Sequence, residues 1–459
     1  MTGIYIRFNV SLLLLLPFLF PEDNSGVAAG RALRLPRRDA LSRALKANST
    51  LAASLDEPAA GAPPLPPPTL SPSGLRCEFK TVKRQKDKPN VPHNELFDNY
   101  TTVSYDVTKR YKSLHKLGRG VEGTVTLALD LATNTEVAIK KVVDIARNEH
   151  HVSEMLKEVM LYNAMIGLGG TVQLKRILPP LHPHNMTTLF MVMERMDGDM
   201  FHEKTTIRDM DLRIQKWLIY QALTAIQNMH AAGILHQDIS ATNIMVRSDC
   251  SVKLGDFGYT QVIPKLSPPE EFKDGEMTIP PQSNWVKDPA IDVWHMGKSI
   301  LTMASGADRA YEPEDRDHLA RAMLHEYGSP PGKVLAKLNP DVVKVISEAE
   351  RSGEQLPTFS SIWPEVHPDL MGLVKRMLHW DLRQLPTAAE LMMDPIFDEI
   401  IDLRGPRVAD KKFIPFPWKI RKPFKDGKVF KALSLEIGII DELLQDSDEA
   451  VLMNLIRDT

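Results

Sequence analysis

His236-Gln-Asp238-Ile-Ser-Ala-Thr-Asn243, followed after a short strand-turn-strand by Asp256-Phe257-Gly258, is the stretch on which the fold assignment depends. Just before it, apolar residues recur at three- and four-residue spacing from Ile214 to Met229, and Gly233 ends the run. This spacing predicts an amphipathic helix. Before residue 210 the patterns are mostly strand-like, and beyond it they are mostly helical. A strand-rich segment followed by a helix-rich one predicts an α+β fold with two lobes and a cleft.

The strand-rich segment contains a glycine loop, Gly118-Arg-Gly120-Val-Glu-Gly123-Thr-Val125. It lies between two strand-like stretches, which argues against the strand-to-helix turn of a dinucleotide site. Glycines let backbone N–H groups approach phosphates without interference from Cβ. Alone, the loop could equally be a hairpin without a ligand. Likewise, Lys140 in Val137-Ala138-Ile139-Lys140 would alone be a solvated strand lysine. A helix is predicted near 150–165 and a strand at Leu189–Met193.

Together, the glycine loop, the strand with Lys140, the His-x-Asp-x4-Asn run and Asp-Phe-Gly occur once each and in this order. In these motifs the chain resembles the eukaryotic protein kinase family. The resemblance covers about residues 108–400. It implies a bilobal fold with a small β-rich N-lobe and a larger helical C-lobe. It also implies ATP and Mg²⁺ as cofactors and a protein serine or threonine as acceptor; tyrosine stays open because Ile239-Ser-Ala-Thr242 matches neither subgroup.

The resemblance assigns roles around the phosphates. The three glycines would cover the ATP phosphates, and Lys140 would contact the α- and β-phosphates. Glu158 would orient Lys140, with Glu154 as the alternative one turn earlier. Asp238 would accept the proton of the attacking hydroxyl. The expected magnesium ligands are Asn243 and Asp256.

Met191-Val-Met-Glu-Arg-Met-Asp-Gly-Asp199 resembles the hinge between the lobes. Adenine would bond to the backbone of Glu194 and Met196, the ribose to Asp199, and Met193 would stand at the gatekeeper position. Below the cleft, Asp292 would bond to the backbone of the catalytic loop, which is the run from His236 to Asn243. The nucleotide-binding residues implied by the resemblance are Gly118, Gly120, Gly123, Val125, Ala138, Lys140, Glu158, Glu194, Met196 and Asp199.

Two positions depart from the family pattern. Gln237 replaces an arginine that in many kinases pairs with an activation-segment phosphate. Ser240 replaces a lysine that stabilises the γ-phosphate; an uncompensated loss of this kind costs about 2.7–4 kcal/mol. These departures leave a pseudokinase scaffold, which binds nucleotide or a partner without phosphoryl transfer, as the alternative. Retention of the four functional residues (Lys140, Asp238, Asn243 and Asp256) favours an enzyme.

The end of the activation segment has two candidates, Pro268-Pro269-Glu270 and Pro280-Pro281-Gln282. The family glutamate here pairs with a buried arginine, whose place Leu385 takes. A half-removed buried ion pair costs about 3–5 kcal/mol, whereas removal of both members can be neutral. The second candidate is therefore favoured. Residues 319–400 resemble the branch of cyclin-dependent and mitogen-activated kinases.

The N-terminal residues 1–29 read as a signal peptide, with an apolar run at Val10–Phe20; an uncleaved anchor is the alternative. Residues 30–76 form a basic and proline-rich extension. Within it, 31–46 carries six cations and one acid and could lie on an anionic membrane surface, or be a basic spacer or a processed pro-segment. Residues 77–107 are read as an N-lobe extension. The tail at 401–459 contains a predicted helix at 433–444.

The composition adds limits on partners and compartment. The 459 residues carry a net charge of −3, which gives no indication of nucleic-acid binding. Cys77 and Cys250 could form one bridge or remain two thiols. The leader, the arginine-rich segment and the divergent kinase domain together resemble the rhoptry kinases that apicomplexan parasites inject into host cells. That resemblance implies a secreted protein, or one in a secretory organelle, delivered to a host cell.

Overall fold

A five-stranded antiparallel sheet precedes a mostly helical region in the computed structural model, which describes residues 75–80, 89–97, 105–120, 123–145, 149–166, 168–178, 187–263, 288–306, 313–336, 338–404 and 437. The strands are β1 (Tyr111–Arg119), β2 (Gly123–Asp130), β3 (Thr135–Val143), β4 (Leu174–Leu178) and β5 (Thr188–Glu194). Their spatial order is β1-β2-β3-β5-β4. The strands predicted along this part of the sequence are confirmed.

The helices that follow carry the larger core. Helix α5 (Leu212–Ala231) is capped at its start by Asp211, whose side chain accepts from the N–H of Arg213. It ends just before Gly233, whose φ of 72° suits glycine. The remaining helices are α1 (His93–Leu96), α2 (Tyr105–Thr108), α3 (Glu149–Ala164), α4 (Lys204–Arg208), α6 (Ala290–Ser305), α7 (Pro313–Tyr327), α8 (Gly332–Leu335), α9 (Pro340–Ser352), α10 (Phe359–Ile362), α11 (Pro368–Met377), α12 (Ala388–Met392) and α13 (Ile401–Arg404), with 3₁₀ turns at Leu382–Gln384 and Pro395–Ile400.

Short strands flank α5 in the sequence: one precedes α4, and four lie between α5 and α6. Strands β6 (Gly198–Asp199), β8 (Ile244–Val246) and β9 (Val252–Leu254) form one small antiparallel sheet. Strands β7 (Ile234–Leu235) and β10 (Gln261–Val262) form another. The predicted α+β order, sheet first and helices after, is therefore confirmed.

The segment before the sheet contacts both regions. Residues 89–97 lie on the sheet, where Ser113 Oγ donates to the carbonyl of Val91 at 2.7 Å and the ring of Phe97 lies 5.3 Å from that of Phe190. Residues 75–80 lie instead against the helical region. There Cys77 and Cys250 form a disulfide across 173 residues of sequence, which settles the open cysteine question. In the chain-entropy description a loop of that length stabilises the fold by about 5 kcal/mol.

Several sequence predictions fall outside the described residues. These are the leader at 1–29, the basic segment at 31–46, the proline-rich part of the extension at 57–74 and both candidate ends of the activation segment. Within the tail helix predicted at 433–444, only Ile437 is described; it is helical and fully buried. Among the described residues, no helix combines the length and apolar character needed to cross a membrane.

Candidate active site

One face of the sheet gathers the predicted nucleotide residues. Val125 lies directly opposite Lys140, and Ala138 lies opposite Met193, the predicted gatekeeper. Directly opposite residues in antiparallel strands project to the same side, and successive residues alternate. One face of the sheet is therefore lined by Val125, Ala138, Lys140 and Met193. Lys140 lies on β3, between β2 and β5.

Lys140 is held by an ion pair from the neighbouring helix. Its Nζ lies 2.7 Å from Oε1 of Glu158 on α3, whose side chain is 1% exposed. Burial alone would lower the pKa of Lys140, but the charge and hydrogen bond of Glu158, together with the nearby Tyr162 and Asp256, outweigh burial, and the pKa is raised. Glu154, the alternative partner, is half exposed and lies near His151 instead. The structure thus places the first-choice glutamate against the lysine.

The catalytic loop is held from below by a single buried carboxylate. Asp292 Oδ1 accepts the N–H of Gln237 at 2.7 Å, and Oδ2 accepts the N–H of His236 at 2.9 Å. Nε2 of His230 also contacts Oδ2, at 2.8 Å. Burial opposes ionisation of Asp292, but the hydrogen bond and charge of His230 with the backbone bonds lower its pKa. Ionised Asp292 therefore fixes the main chain of His236 and Gln237, the two residues that precede Asp238.

Asp238 and Asn243 are bonded directly to each other. Nδ2 of Asn243 donates to Oδ2 of Asp238 at 2.8 Å and to its backbone carbonyl at 2.9 Å. Oδ1 of Asn243 takes part in neither bond. Burial, and to a lesser degree the nearby charge of Asp256, raise the pKa of Asp238. Magnesium prefers oxygen ligands, so the side-chain oxygens of Asn243 and Asp256 suit it. A bound magnesium ion would also offset the negative charges of Asp238 and Asp256.

The Asp-Phe-Gly turn is fixed by its phenylalanine. Phe257 is fully buried, and its ring lies 4.9 Å from that of Tyr162 on α3 and 5.5 Å from that of His236. Asp256 has a φ of 61°, in the left-handed region. Asp256 also contributes to raising the pKa of Lys140, so the two groups lie in one electrostatic site. Helix α3 therefore supports both Lys140, through Glu158, and the turn that carries Asp256.

The glycine loop closes as a hairpin between β1 and β2. The N–H of Gly120 donates to the carbonyl of Gly123 at 2.9 Å, and Gly118 lies opposite Val125. A Cβ at Gly123 would lie 1.9 Å from the Lys141 carbonyl oxygen, so only glycine fits. The two residues between Gly120 and Gly123 are outside the described residues. In the described part of the chain, no group of three or more His, Cys, Asp or Glu is arranged to hold a metal ion.

The side chain of Glu194, in the segment predicted to be the hinge, is paired with residues outside that segment. Oε1 of Glu194 lies 2.6 Å from Nζ of Lys253 and accepts the N–H of Gln173 at 2.7 Å. The adenine contacts predicted for Glu194 and Met196 involve only backbone atoms, so this pairing is compatible with them. Sequence reasoning did not find Lys253. Its position on β9, three residues before Asp256, was the signal available.

The segment that carries Asp199 is bonded to the catalytic loop. Asp199 lies opposite Met245 in the β6–β8 pair, and the N–H of Phe201 donates to the carbonyl of Ala241 at 3.0 Å. Both oxygens of Asp199 lie within 2.9 Å of Nδ1 of His202, a contact that sequence reasoning missed. Burial raises the pKa of Asp199 despite the hydrogen bonds from His202.

Leu385, which stands where the family arginine would be, is partly buried and packs against the main core. Its predicted counterpart, Gln282, lies outside the described residues, so the choice between the two activation-segment ends stays a prediction. Thr260, closer to the Asp-Phe-Gly turn, is fully buried. Its Oγ1 lies 3.4 Å from the carbonyl of His236.

Comparisons with known proteins agree with this geometry. Residues 111–397 match the protein kinase domain. Mitogen-activated protein kinase 15 of Arabidopsis thaliana is 26% identical over 371 residues, which are 77% of this chain and 62% of that protein. Mitogen-activated protein kinase 19 of Arabidopsis thaliana is 26% identical, over 75% of this chain and 58% of its own length. Mitogen-activated protein kinase 16 of Oryza sativa subsp. japonica is 26% identical, over 72% and 66%. The chain thus spans roughly three fifths of the length of these relatives.

Proposed function

The chain belongs to the protein kinase family, and on that premise we propose that it transfers the γ-phosphate of Mg-ATP to serine or threonine hydroxyls of protein substrates. The observation that carries this proposal is the 2.7 Å ion pair between Lys140 and Glu158. It requires α3 to lie against the sheet, and the same helix supports the Asp-Phe-Gly turn through Tyr162. Helix α3 therefore positions both Lys140 and the turn that carries Asp256, the two parts of the site that would face the phosphates.

Asp238 acts on the acceptor hydroxyl. Its raised pKa gives it more affinity for a proton than an ordinary aspartate has, which suits a group that must accept one from a hydroxyl. Asn243 fixes the orientation of that carboxylate through its Nδ2. Asn243 Oδ1 and a carboxylate oxygen of Asp256 would hold magnesium. When bound, the metal neutralises negative charge on the phosphoryl group being transferred.

The preference for serine and threonine is supported by the mitogen-activated kinases among the relatives. The absent lysine at Ser240 bears on rate. The hydroxyl of Ser240 bonds to that of Thr242 at 2.7 Å, so a neutral pair stands at this place. We therefore expect slow turnover with intact nucleotide binding.

The proposal is tested with the full-length chain. It is incubated with γ-labelled ATP, magnesium and casein as a generic acceptor, and the labelled amino acids are identified after hydrolysis. Label on phosphoserine or phosphothreonine that is absent with an Asp238→Asn variant is the expected result. Nucleotide binding without label above that control would favour the scaffold function, for which Gln237 and Ser240 are the supporting departures.

For location, we propose the secretory route, with a rhoptry-type destination in a host cell. The leader-like sequence at 1–29 and the disulfide between Cys77 and Cys250 support it, because disulfides persist in oxidising compartments. The basic segment at 31–46 would contact anionic membrane on the way.

Two measurements on protein from its native cells test the proposed location: the mature N-terminus and the state of both cysteines. A retained Met1 with two free thiols would contradict it. Binding to phosphatidylserine vesicles but not to phosphatidylcholine vesicles tests the membrane contact.

A further inference from the structure

Residues 77–80 are attached to the helical region at the turn between β8 and β9. The N–H of Cys77 donates to the carbonyl of Ser248 at 2.9 Å, and its sulfur is bonded to that of Cys250. Phe79 is 2% exposed and belongs to the main core. This short segment is therefore covalently and non-covalently fixed, although it lies far from the kinase motifs in sequence.

A second attachment reaches the turn that follows Asp199. The N–H of Lys80 donates to Oε2 of Glu203 at 2.8 Å, and Glu203 is fully buried. The N–H of Glu203 in turn donates to the carbonyl of Asp199 at 3.1 Å. Lys80 thus contacts the residue that closes the turn containing Asp199 and His202.

Both attachments converge on one segment, residues 197–203. At its start, Oδ2 of Asp197 accepts the N–H of Ser248 at 2.7 Å, the residue whose carbonyl binds Cys77. At its end lies Glu203, held by Lys80. Between them the backbone N–H of His202 donates to Oδ1 of Asp199 at 2.9 Å, so the orientation of that carboxylate depends on the shape of the turn.

We propose that the tethered segment 77–80 positions Asp199 for the ribose of the bound nucleotide, acting through Ser248 and Glu203. Its residues are positioning residues, because none of them is placed against the nucleotide itself. The inference rests on the proposed function, since it requires a Mg-nucleotide in the cleft with its ribose at Asp199. A segment that precedes the kinase domain in sequence would then set part of the nucleotide specificity.

The experiment measures preference for the ribose hydroxyls. Mg-ADP, Mg-2′-deoxy-ADP and Mg-3′-deoxy-ADP are titrated into the full-length protein by calorimetry. A hydrogen bond to a charged carboxylate should give the wild type a preference of about tenfold for ADP over one of the deoxy analogues. The Asp199→Asn variant should reduce that preference to about threefold or less.

Two tether variants test the positioning role. The double variant Cys77→Ala with Cys250→Ala removes the disulfide, and Glu203→Ala removes the second attachment without touching the cysteines. Each should reduce the preference as Asp199→Asn does, and the cysteine changes should have no further effect in the Asp199→Asn background. Ser113→Ala, which removes an attachment of the same extension to the sheet, is the matched control and should keep the wild-type preference.

The outcomes separate this inference from the proposed function. Tether variants that lower the affinity for all three nucleotides equally, or that leave the preference unchanged, would overturn the inference while the kinase function stands. If the cysteine variant does not fold, Glu203→Ala alone decides between these results. A wild type that binds no Mg-ADP would overturn both the nucleotide site and this inference, and one that binds without ribose preference would overturn the inference alone.

Discussion

The N–H of Gln237 donates to Oδ1 of Asp292 at 2.7 Å, with Gln237 in the left-handed region at a φ of 63°. The catalytic loop is therefore held through its main chain, and this bond is indifferent to the side chain at 237. Replacement of the usual arginine by glutamine removes a phosphate partner, but it does not remove the bond that shapes the loop. Loss of that arginine and loss of catalysis are thus separable.

Asp292→Asn should destabilise the fold. One of its two acceptor oxygens becomes an amide that faces a buried N–H donor, which leaves that donor unpaired. We expect a loss of about 2–4 kcal/mol in the free energy of unfolding, measured by urea denaturation. Asp209→Asn, at an exposed ion pair with Arg208, should leave the free energy of unfolding nearly unchanged. Equal effects of the two variants would contradict the role given to Asp292.

Glu158→Gln should lower kcat/KM for ATP by about tenfold to a hundredfold, because Lys140 loses the charge that holds it. Glu154→Gln, one turn earlier on α3, is the matched control and should leave kcat/KM within about twofold. Steady-state kinetics at varied ATP concentration give both values. A large effect of Glu154→Gln with none from Glu158→Gln would reverse the assignment.

Ser240→Lys should increase kcat. It restores a cation at the place where the family stabilises the γ-phosphate, and the partly exposed Ser240 leaves room for a longer side chain. We expect an increase of at least about tenfold, with the roughly 100- to 1000-fold effect of such charge partners as its upper bound. Ser240→Met, of similar length without charge, should give no increase. Equal rates for Ser240→Lys and the wild type would mean that another group already supplies this charge.

Thr260→Glu should destabilise the protein by more than about 3 kcal/mol, because Thr260 is fully buried and an unpaired charge there has no solvent. Thr260→Val loses only a weak hydrogen bond and should cost about 1 kcal/mol. Urea denaturation of the two variants compares them. A Thr260→Glu protein as stable as Thr260→Val would show that this position can open to accept a phosphate.

As the pH is lowered, activity should begin to fall at a higher pH than it would with an ordinary aspartate. The reason is that the pKa of Asp238 is raised and its protonated form cannot accept a proton. The sign for stability is opposite to that of a salt-bridged acid. Because the pKa of Asp238 is higher in the folded state than in the unfolded state, ionised Asp238 destabilises the fold. This loss of stability begins as the pH rises above the unfolded-state pKa and is complete above the folded-state pKa. Asp238→Asn should therefore unfold at a higher temperature than the wild type at pH 7. Calorimetry checks this, and a lower unfolding temperature would contradict it.

The sequence predicted the sheet, α3, α5 and the position of Glu158, because these depend on local periodicity and on short motifs. Such features need few long-range contacts. The family resemblance ranked Glu158 above Glu154, and the structure pairs Lys140 with Glu158.

The attachments of the extension could not be predicted in the same way. The disulfide joins residues 173 positions apart, and two cysteines in a sequence do not say whether their backbones meet. The contact of Lys80 with Glu203 uses a backbone N–H, which every residue except proline has. The pairing of Glu194 with Lys253 likewise depends on how the hinge lies over β9. These contacts follow from tertiary packing.

We propose that this chain transfers phosphate despite glutamine at 237 and serine at 240. The most direct measurement is the single-turnover rate of γ-phosphate transfer from Mg-ATP to a protein acceptor, for the wild type and for Asp238→Asn at saturating nucleotide. We predict a wild-type rate at least about a hundredfold above the variant, with similar nucleotide affinity for both. Equal rates for the two proteins, with nucleotide bound to each, would contradict the claim.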